Sequence, residues 1–187
     1  METVQKEKRY TYAQYRNWPD DERWELIDGF AYSLAAPSLA HQRVCGEIFR
    51  QIGNFLRDKP CQVFNAPCDV RLSAEGNDDD VVQPDILVVC DEKKLEDGKS
   101  VVDAPALVVE VLSPATTNYD RIKKYRLYQR AGIKEYWIVD PDEKVLTVNI
   151  LRGERYAGFL YFEDDGNIPV EVLPGCAINL AEVFKRL

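Results

Sequence analysis

The chain has 187 residues, 45% of them hydrophobic and 30% charged, a composition that sustains one globular domain with a substantial core and gives no reason to invoke disorder. A net charge of −8 at pH 7 argues against broad adhesion to nucleic acid or anionic membrane and leaves room only for a local basic patch. No apolar run approaches the ~20 residues of a membrane span, so a soluble protein with no membrane partner is expected.

The five cysteines, Cys45, Cys61, Cys68, Cys90 and Cys176, are odd in number and contain no C-x-x-C pair. With a single histidine they make a structural zinc site unexpected. The N-terminus METVQKEKRY lacks the apolar core of a signal peptide, so the expected setting is a reducing cytoplasm.

In chain order, WELIDGFAYSLAA carries Asp28-Gly29 between two alternating stretches, the signal for a two-residue hairpin. Pairing Ile27 with Phe30 sets Glu25 opposite Tyr32 and puts Glu25, Ile27, Phe30 and Tyr32 on one face. PSLAHQRVCGEIFRQIGNFLRDKP reads as an amphipathic helix with Ser38 as N-cap, His41 in the first turn at the edge of the inward face, and Pro60 at the end. Glu47 falls near Arg43 and Arg50, away from that face.

CQVF, CDVRLS, VVQPDILVVC and ALVVEVLS then read as strands of a central sheet, with the acidic EGNDDD as a solvated loop. TNYDRIKKYRLYQRAGI reads as a helix capped by Thr117 or Asn118, with Asp120 in its first turn and Gly132 at its C-terminal end. KEYWIVDP follows as a strand. KVLTVNILRGERYAGFLYFEDDGNIPVEVLPG reads as a β-meander turning at Arg152-Gly153 and Asp165-Gly166, and LAEVFKRL as a short terminal helix. The fold class is α/β, a mixed sheet flanked by helices, with an N-terminal hairpin and a trailing antiparallel portion, all in one domain over residues 1–187.

Glu110 interrupts the apolar run VVEVLSPAT, and a buried carboxylate must reach solvent, meet a cation or take up a proton. Alternation puts Asp85, Leu87 and Val89 on one face of their strand, and Val108, Glu110 and Leu112 on one face of theirs. If these strands are neighbours, two carboxylates meet, and a hard divalent cation such as Mg²⁺ or Mn²⁺ would relieve their repulsion. Lys124 shares a helix face with Leu127, Tyr128 and Ala131 and points inward toward Glu110, whereas Lys123 aligns outward with Arg126 and Arg130.

The series Pro84-Asp85, Glu110 to Leu112, Lys124 and EYWIVDP, with WELIDG and the P-S-x-x-H of Pro37 to His41, resembles the Uma-two family of restriction endonucleases within the PD-(D/E)XK nuclease superfamily. The resemblance runs from about Tyr12 to Ile150. It implies a restriction-endonuclease-like core and a Mg²⁺-dependent (or Mn²⁺-dependent) hydrolase acting on DNA. Asp85 and Glu110 would then be metal ligands, Lys124 would stand beside the nucleophile, and Glu25 and His41 would support the site. The superfamily's lysine two residues after the glutamate is Leu112 here, and the family's lysine on the following helix corresponds to Lys124.

Simpler readings stand beside these. Glu110 and Lys124 would form a merely structural ion pair, Asp85 a strand-entry residue bonded to backbone, Glu25 a solvent-facing hairpin residue, and His41 a capping or packing group. The basic run Arg121 to Arg130 is either a solvated face or a set of phosphate contacts. The alternative function is a nuclease-fold DNA-binding or assembly protein with weak or no catalysis, and a hydrolase of another phosphate substrate is a third. Tyr156, Phe159, Tyr161 and Phe162 would form either core or an apolar surface for a homodimer.

Overall fold

The structure, a computed structural model, describes residues 8–19, 22–72, 78–113 and 119–187. The expected caps Thr117 and Asn118, and Glu75 to Asn77 of the acidic loop, lie outside them. After a one-turn helix α1 (Tyr12–Tyr15), strands β1 (Trp24–Ile27) and β2 (Phe30–Ser33) form the expected hairpin. Asp28 and Gly29 occupy its turn with φ of 50° and 78°, the left-handed pair that a two-residue hairpin turn requires. Glu25 lies opposite Tyr32.

Helix α2 (Leu39–Leu56) follows, with the Ser38 hydroxyl accepting from His41 N at 3.2 Å. His41, Val44, Ile48, Ile52 and Leu56 recur every three or four residues and are its buried stripe. Glu47 pairs with Arg50 on the outer face, while Arg43 reaches the carbonyl of Arg186 instead.

Next come β3 (Gln62–Asn65), β4 (Val70–Arg71), β5 (Val81–Val82), β6 (Ile86–Val89), β7 (Val101–Val102) and β8 (Leu107–Val111). A π-helical turn, Tyr119–Lys124, runs into α3 (Tyr125–Arg130), which ends at Gly132 with φ of 79°. The chain closes with β9 (Glu135–Asp140), β10 (Val145–Arg152), β11 (Arg155–Phe162), β12 (Asn167–Pro169), β13 (Ala177–Asn179) and α4 (Leu180–Phe184). The β10–β11 turn is Gly153-Glu154, one residue later than expected, because Arg152 pairs with Arg155.

The expected central sheet is divided in two. A mixed six-stranded sheet has the order β11-β10-β9-β8-β6-β3, with β8 and β9 parallel across the α3 crossover. A five-stranded sheet, β2-β1-β5-β4-β7, holds the hairpin, and β12 pairs with β13. Strands β4, β5 and β7 have two residues each, too short for alternation to reveal their pairing.

Alternation decides which side of the six-stranded sheet each residue serves. Ile86, Val88, Leu107, Val109 and Trp137 pack under α2 and α4. Leu87, Val89, Val108, Leu112 and Ile138 pack against α3 and the five-stranded sheet, through Leu127, Tyr128, Ile27, Tyr32 and Val82. The five-stranded sheet and α3 thus cover the face opposite α2.

Three further features depart from the sequence reading. Asp80, expected in a solvated loop, is buried: it accepts from Asp28 N at 2.8 Å and from Arg130 at 2.8 Å, tying the hairpin turn to α3. Cys61 and Cys90, which directly continue the β3–β6 register, are joined as a disulfide. Sequence alone does not reveal which cysteines pair. No helix among the described residues is long and apolar enough to cross a membrane.

The third is Glu135, fully buried at the start of β9. Its oxygens accept from Trp137 Nε1 at 2.7 Å and Val172 N at 2.9 Å, yet burial outweighs these bonds and raises its carboxyl above the usual range. The folded state therefore holds this proton at pH values where the unfolded chain has released it, and the carboxyl's contribution to stability falls as pH rises through that window. Urea unfolding between pH 4 and 7 is expected to show that the Glu135→Gln variant loses less stability than the wild type over the rise. An identical slope in both would remove Glu135 as the cause.

Candidate active site

Four of the five residues singled out in the sequence, His41, Asp85, Glu110 and Lys124, line one cleft. Asp85 immediately precedes β6, and Glu110 is the fourth residue of β8. The register pairs Leu87 with Val108 and Ile86 with Val109; continued by one step, it sets the two carboxylates opposite each other. Opposed residues of an antiparallel pair share a face, so Glu110 lies on the side covered by α3.

Lys124 enters from that side. Its Nζ donates to Glu110 Oε1 at 2.9 Å and forms an ion pair with Glu25 Oε1 at 2.9 Å, with all three side chains withdrawn from solvent. Glu25 reaches this point from β1 in the other sheet, where Gln83 N also donates to its Oε1 at 2.8 Å. Its Oε2 is buried and has no hydrogen-bond partner among the described residues. Burial of Glu25 overturns its reading as a solvent-facing hairpin residue.

One turn beyond Lys124, the Tyr128 hydroxyl donates to Glu110 Oε1 at 2.6 Å. Burial, reinforced by the Glu110 charge, holds that phenol well above its ordinary pKa, so it stays a hydrogen-bond donor. Lysine and tyrosine four residues apart lie on one helix face, and together they aim two donors at one carboxylate oxygen.

Asp85 is held from the opposite side. Its Oδ2 accepts from Val111 N at 2.8 Å and from His41 Nε2 at 3.1 Å, while its Oδ1 has no hydrogen bond among the described residues. A carboxylate at Nε2 selects the tautomer with its proton there, which leaves Nδ1 as an acceptor. The Cys45 thiol, one turn further along α2, lies 3.5 Å from that Nδ1 and donates to it. The ligand atoms of His41, Cys45 and Asp85 all lie within 4.8 Å of one another.

Burial, and then the charges of Asp85 and Glu110, push the Cys45 thiol far above its usual pKa. A thiol so placed is a poor nucleophile and a poor ligand at neutral pH, which leaves the oxygen donors to dominate. Alkylation by iodoacetamide at pH 8 is therefore expected to be at least ~10-fold slower at Cys45 than in the unfolded chain. Labelling at the unfolded rate would contradict this assignment.

The cleft also contains residues not singled out in the sequence. Arg23, two residues before Glu25, donates from Nε to Gln83 Oε1 at 2.9 Å, and Gln83 Nε2 in turn donates to Asp69 at 2.9 Å and to the Tyr15 hydroxyl at 3.1 Å. Cys45 was detectable as the i+4 neighbour of His41. Gln83 and Asp69 carried no local signal, because their meeting depends on β4 and β5 pairing.

Lys124 points inward and Lys123 outward; the Lys123 ammonium stands 4.3 Å from the centre of the Tyr32 ring and donates to its hydroxyl at 3.2 Å. Arg130 is engaged by Asp28 and Asp80, at 3.0 and 2.8 Å. The side chain of Asp120 lies outside the described residues. Tyr136 is core, edge-on to Tyr128 at 4.9 Å.

Comparison with known proteins bears on what such a cleft does. A family model described as "Uma2: Putative restriction endonuclease" matches residues 12–181. The uncharacterized protein slr1290 of Synechocystis sp. is 33% identical over 131 residues, covering 67% of this chain and 66% of that protein. The chain thus matches slightly less than two thirds of that relative's length. The uncharacterized protein sll1609 of the same organism is 28% identical over 144 residues, 75% of this chain and 80% of that one. A crystal structure titled as "a putative nuclease belonging to DUF820" from Anabaena variabilis superposes with a TM-score of 0.76 at 19% identity, covering 94% of this chain and 98% of that one. The likeness establishes a common restriction-endonuclease-like fold.

Proposed function

Since the chain belongs to the Uma2 family, described as "Putative restriction endonuclease", we propose that it hydrolyses DNA phosphodiester bonds with the help of Mg²⁺ or Mn²⁺, as an endonuclease. The observation that carries this reading is the opposition of Asp85 and Glu110 across β6 and β8 in a cleft also lined by Lys124. The donor set fits a hard divalent cation: two carboxylates face one another, and Asp85 Oδ1 makes no hydrogen bond among the described residues. When bound there, the cation supplies Lewis acidity to the scissile phosphate and eases ionisation of the attacking water.

The chain's own residues do the rest. His41 and Val111 N fix the orientation of Asp85, and Tyr128 fixes that of Glu110. Lys124 holds a positive charge beside Glu110, where it orients the nucleophile and offsets charge that develops on the phosphate. Glu25 keeps that ammonium in place from the second sheet.

The clamp on Lys124 by two carboxylates, together with Leu112 at the position where the superfamily carries a lysine, favours a second reading: a nuclease-fold protein that binds DNA or assembles with little catalysis. Incubating supercoiled, linear and single-stranded DNA with the protein in Mg²⁺, Mn²⁺ or EDTA separates the two. Metal-dependent cutting supports the nuclease. Metal-independent binding without cutting supports the second reading.

A further inference from the structure

We infer that two copies of this chain associate through antiparallel pairing of their β11 strands, with a two-fold axis at Phe159. Among the described residues, strand β11 is one of the two edges of the six-stranded sheet, the other being β3. Three of the six exposed large hydrophobic side chains among the described residues, Phe159, Leu160 and Phe162, lie on it. An apolar open edge attracts another strand unless something blunts it.

The backbone defines what that strand must be. Arg152 and Arg155 flank a two-residue turn and so exchange both of their hydrogen bonds. By alternation, Arg155, Ala157, Phe159 and Tyr161 bond to β10, while Tyr156, Gly158, Leu160 and Phe162 turn their N–H and C=O groups outward. Two contacts agree with this phase: Tyr156 N donates to Gln129 Oε1 at 3.0 Å, and Phe162 N donates to Asp165 Oδ2 at 2.6 Å. The two ends of the edge are thus capped by the chain itself, and among the described residues the outward N–H groups without a partner are those of Gly158 and Leu160.

A two-fold axis restricts the register further. Hydrogen-bonded and non-hydrogen-bonded pairs alternate along an antiparallel ladder, so the axis must pass through a residue facing its own copy. Centring on Gly158 would oppose Leu160 to the capped Tyr156, and centring on Leu160 would oppose Gly158 to the capped Phe162. Centring on Phe159 opposes Gly158 to Leu160 twice, which uses all the open groups and none of the capped ones.

Side chains match in the same register. Leu160 of one copy lies over Gly158 of the other, and the two Phe159 rings meet at the axis, where non-hydrogen-bonded neighbours approach most closely. Arg155, which has no ion pair among the described residues, comes opposite Glu163 of the second copy; Lys144 of that copy already engages this carboxylate at 3.1 Å, and Arg155 adds a second cation beside it.

The test needs no catalytic activity, so its failure is distinct from failure of the nuclease reading. Sedimentation of the full chain up to about 100 µM, above a micromolar dissociation constant, is expected to show a dimer that Leu160→Lys converts to monomer while circular dichroism is unchanged. Arg155→Glu should weaken the dimer, and adding Glu163→Arg should restore it. Under mild oxidation, Phe159→Cys is expected to crosslink across the axis and Leu160→Cys is not, since only the former brings identical positions within disulfide reach. A wild type that stays monomeric, or crosslinking of Leu160→Cys in preference to Phe159→Cys, would overturn the proposal.

Discussion

Replacing Lys124 by alanine is expected to destabilise the protein by about 3–5 kcal/mol, the usual cost of removing one partner from a buried ion pair. Its ammonium is the donor shared by Glu25 and Glu110, both withdrawn from solvent. Without it two buried carboxylates face each other, and Glu25 already has one oxygen without a hydrogen-bond partner among the described residues. In the Glu25→Gln/Lys124→Met double variant, which removes one charge of each sign, much of the loss should return. Urea unfolding of the single and double variants reads this directly. A loss below about 1 kcal/mol for Lys124→Ala would mean that the cluster is already relaxed by protonation or water. Cleavage by Lys124→Arg, which keeps the charge on a different geometry, then separates position from charge.

The second large effect is expected at the opposed carboxylates. Asp85→Asn and Glu110→Gln keep the shape of each side chain and remove its charge, and each is expected to lower metal-dependent cleavage by about 10²–10³-fold. His41→Gln, which acts through Asp85, is expected to cost about 10–100-fold in metal affinity or activity. A readout independent of turnover is thermal unfolding with and without Mg²⁺. Ligand binding to the folded state raises the midpoint for the wild type, and the rise should vanish in Asp85→Asn. An equal rise in wild type and both carboxylate variants would place the cation elsewhere.

Legibility in the sequence followed the range of the interaction. The Asp28-Gly29 hairpin, the Ser38 cap and the buried stripe of α2 are decided by neighbours within four residues, and they were readable. The inward turn of Lys124 was readable too, because Leu127 and Tyr128 repeat its phase. The facing of Asp85 and Glu110 was only conditional: alternation assigned each to a face, but nothing local states that β6 and β8 are neighbours. Asp80 and Gln83 were opaque for the same reason, since their partners Arg130 and Asp69 come from other elements. The π-helical turn before α3 was hidden because a 3.6-residue pattern fitted to Lys124 onward says nothing of the turn that precedes it.

The position of Glu25 on one sheet and Glu110 on the other has a consequence for folding as well as chemistry. Lys124 finds its two acceptors together only while the five-stranded sheet is docked on the six-stranded one. A partially open form, with α2 still seated on its own side, would retain Asp85, His41 and Glu110 but lose the arrangement around the ammonium. In the nuclease reading proposed above, activity at this cleft requires the two sheets to be docked, so local opening of the hairpin is expected to abolish it before the main core exchanges its amide protons.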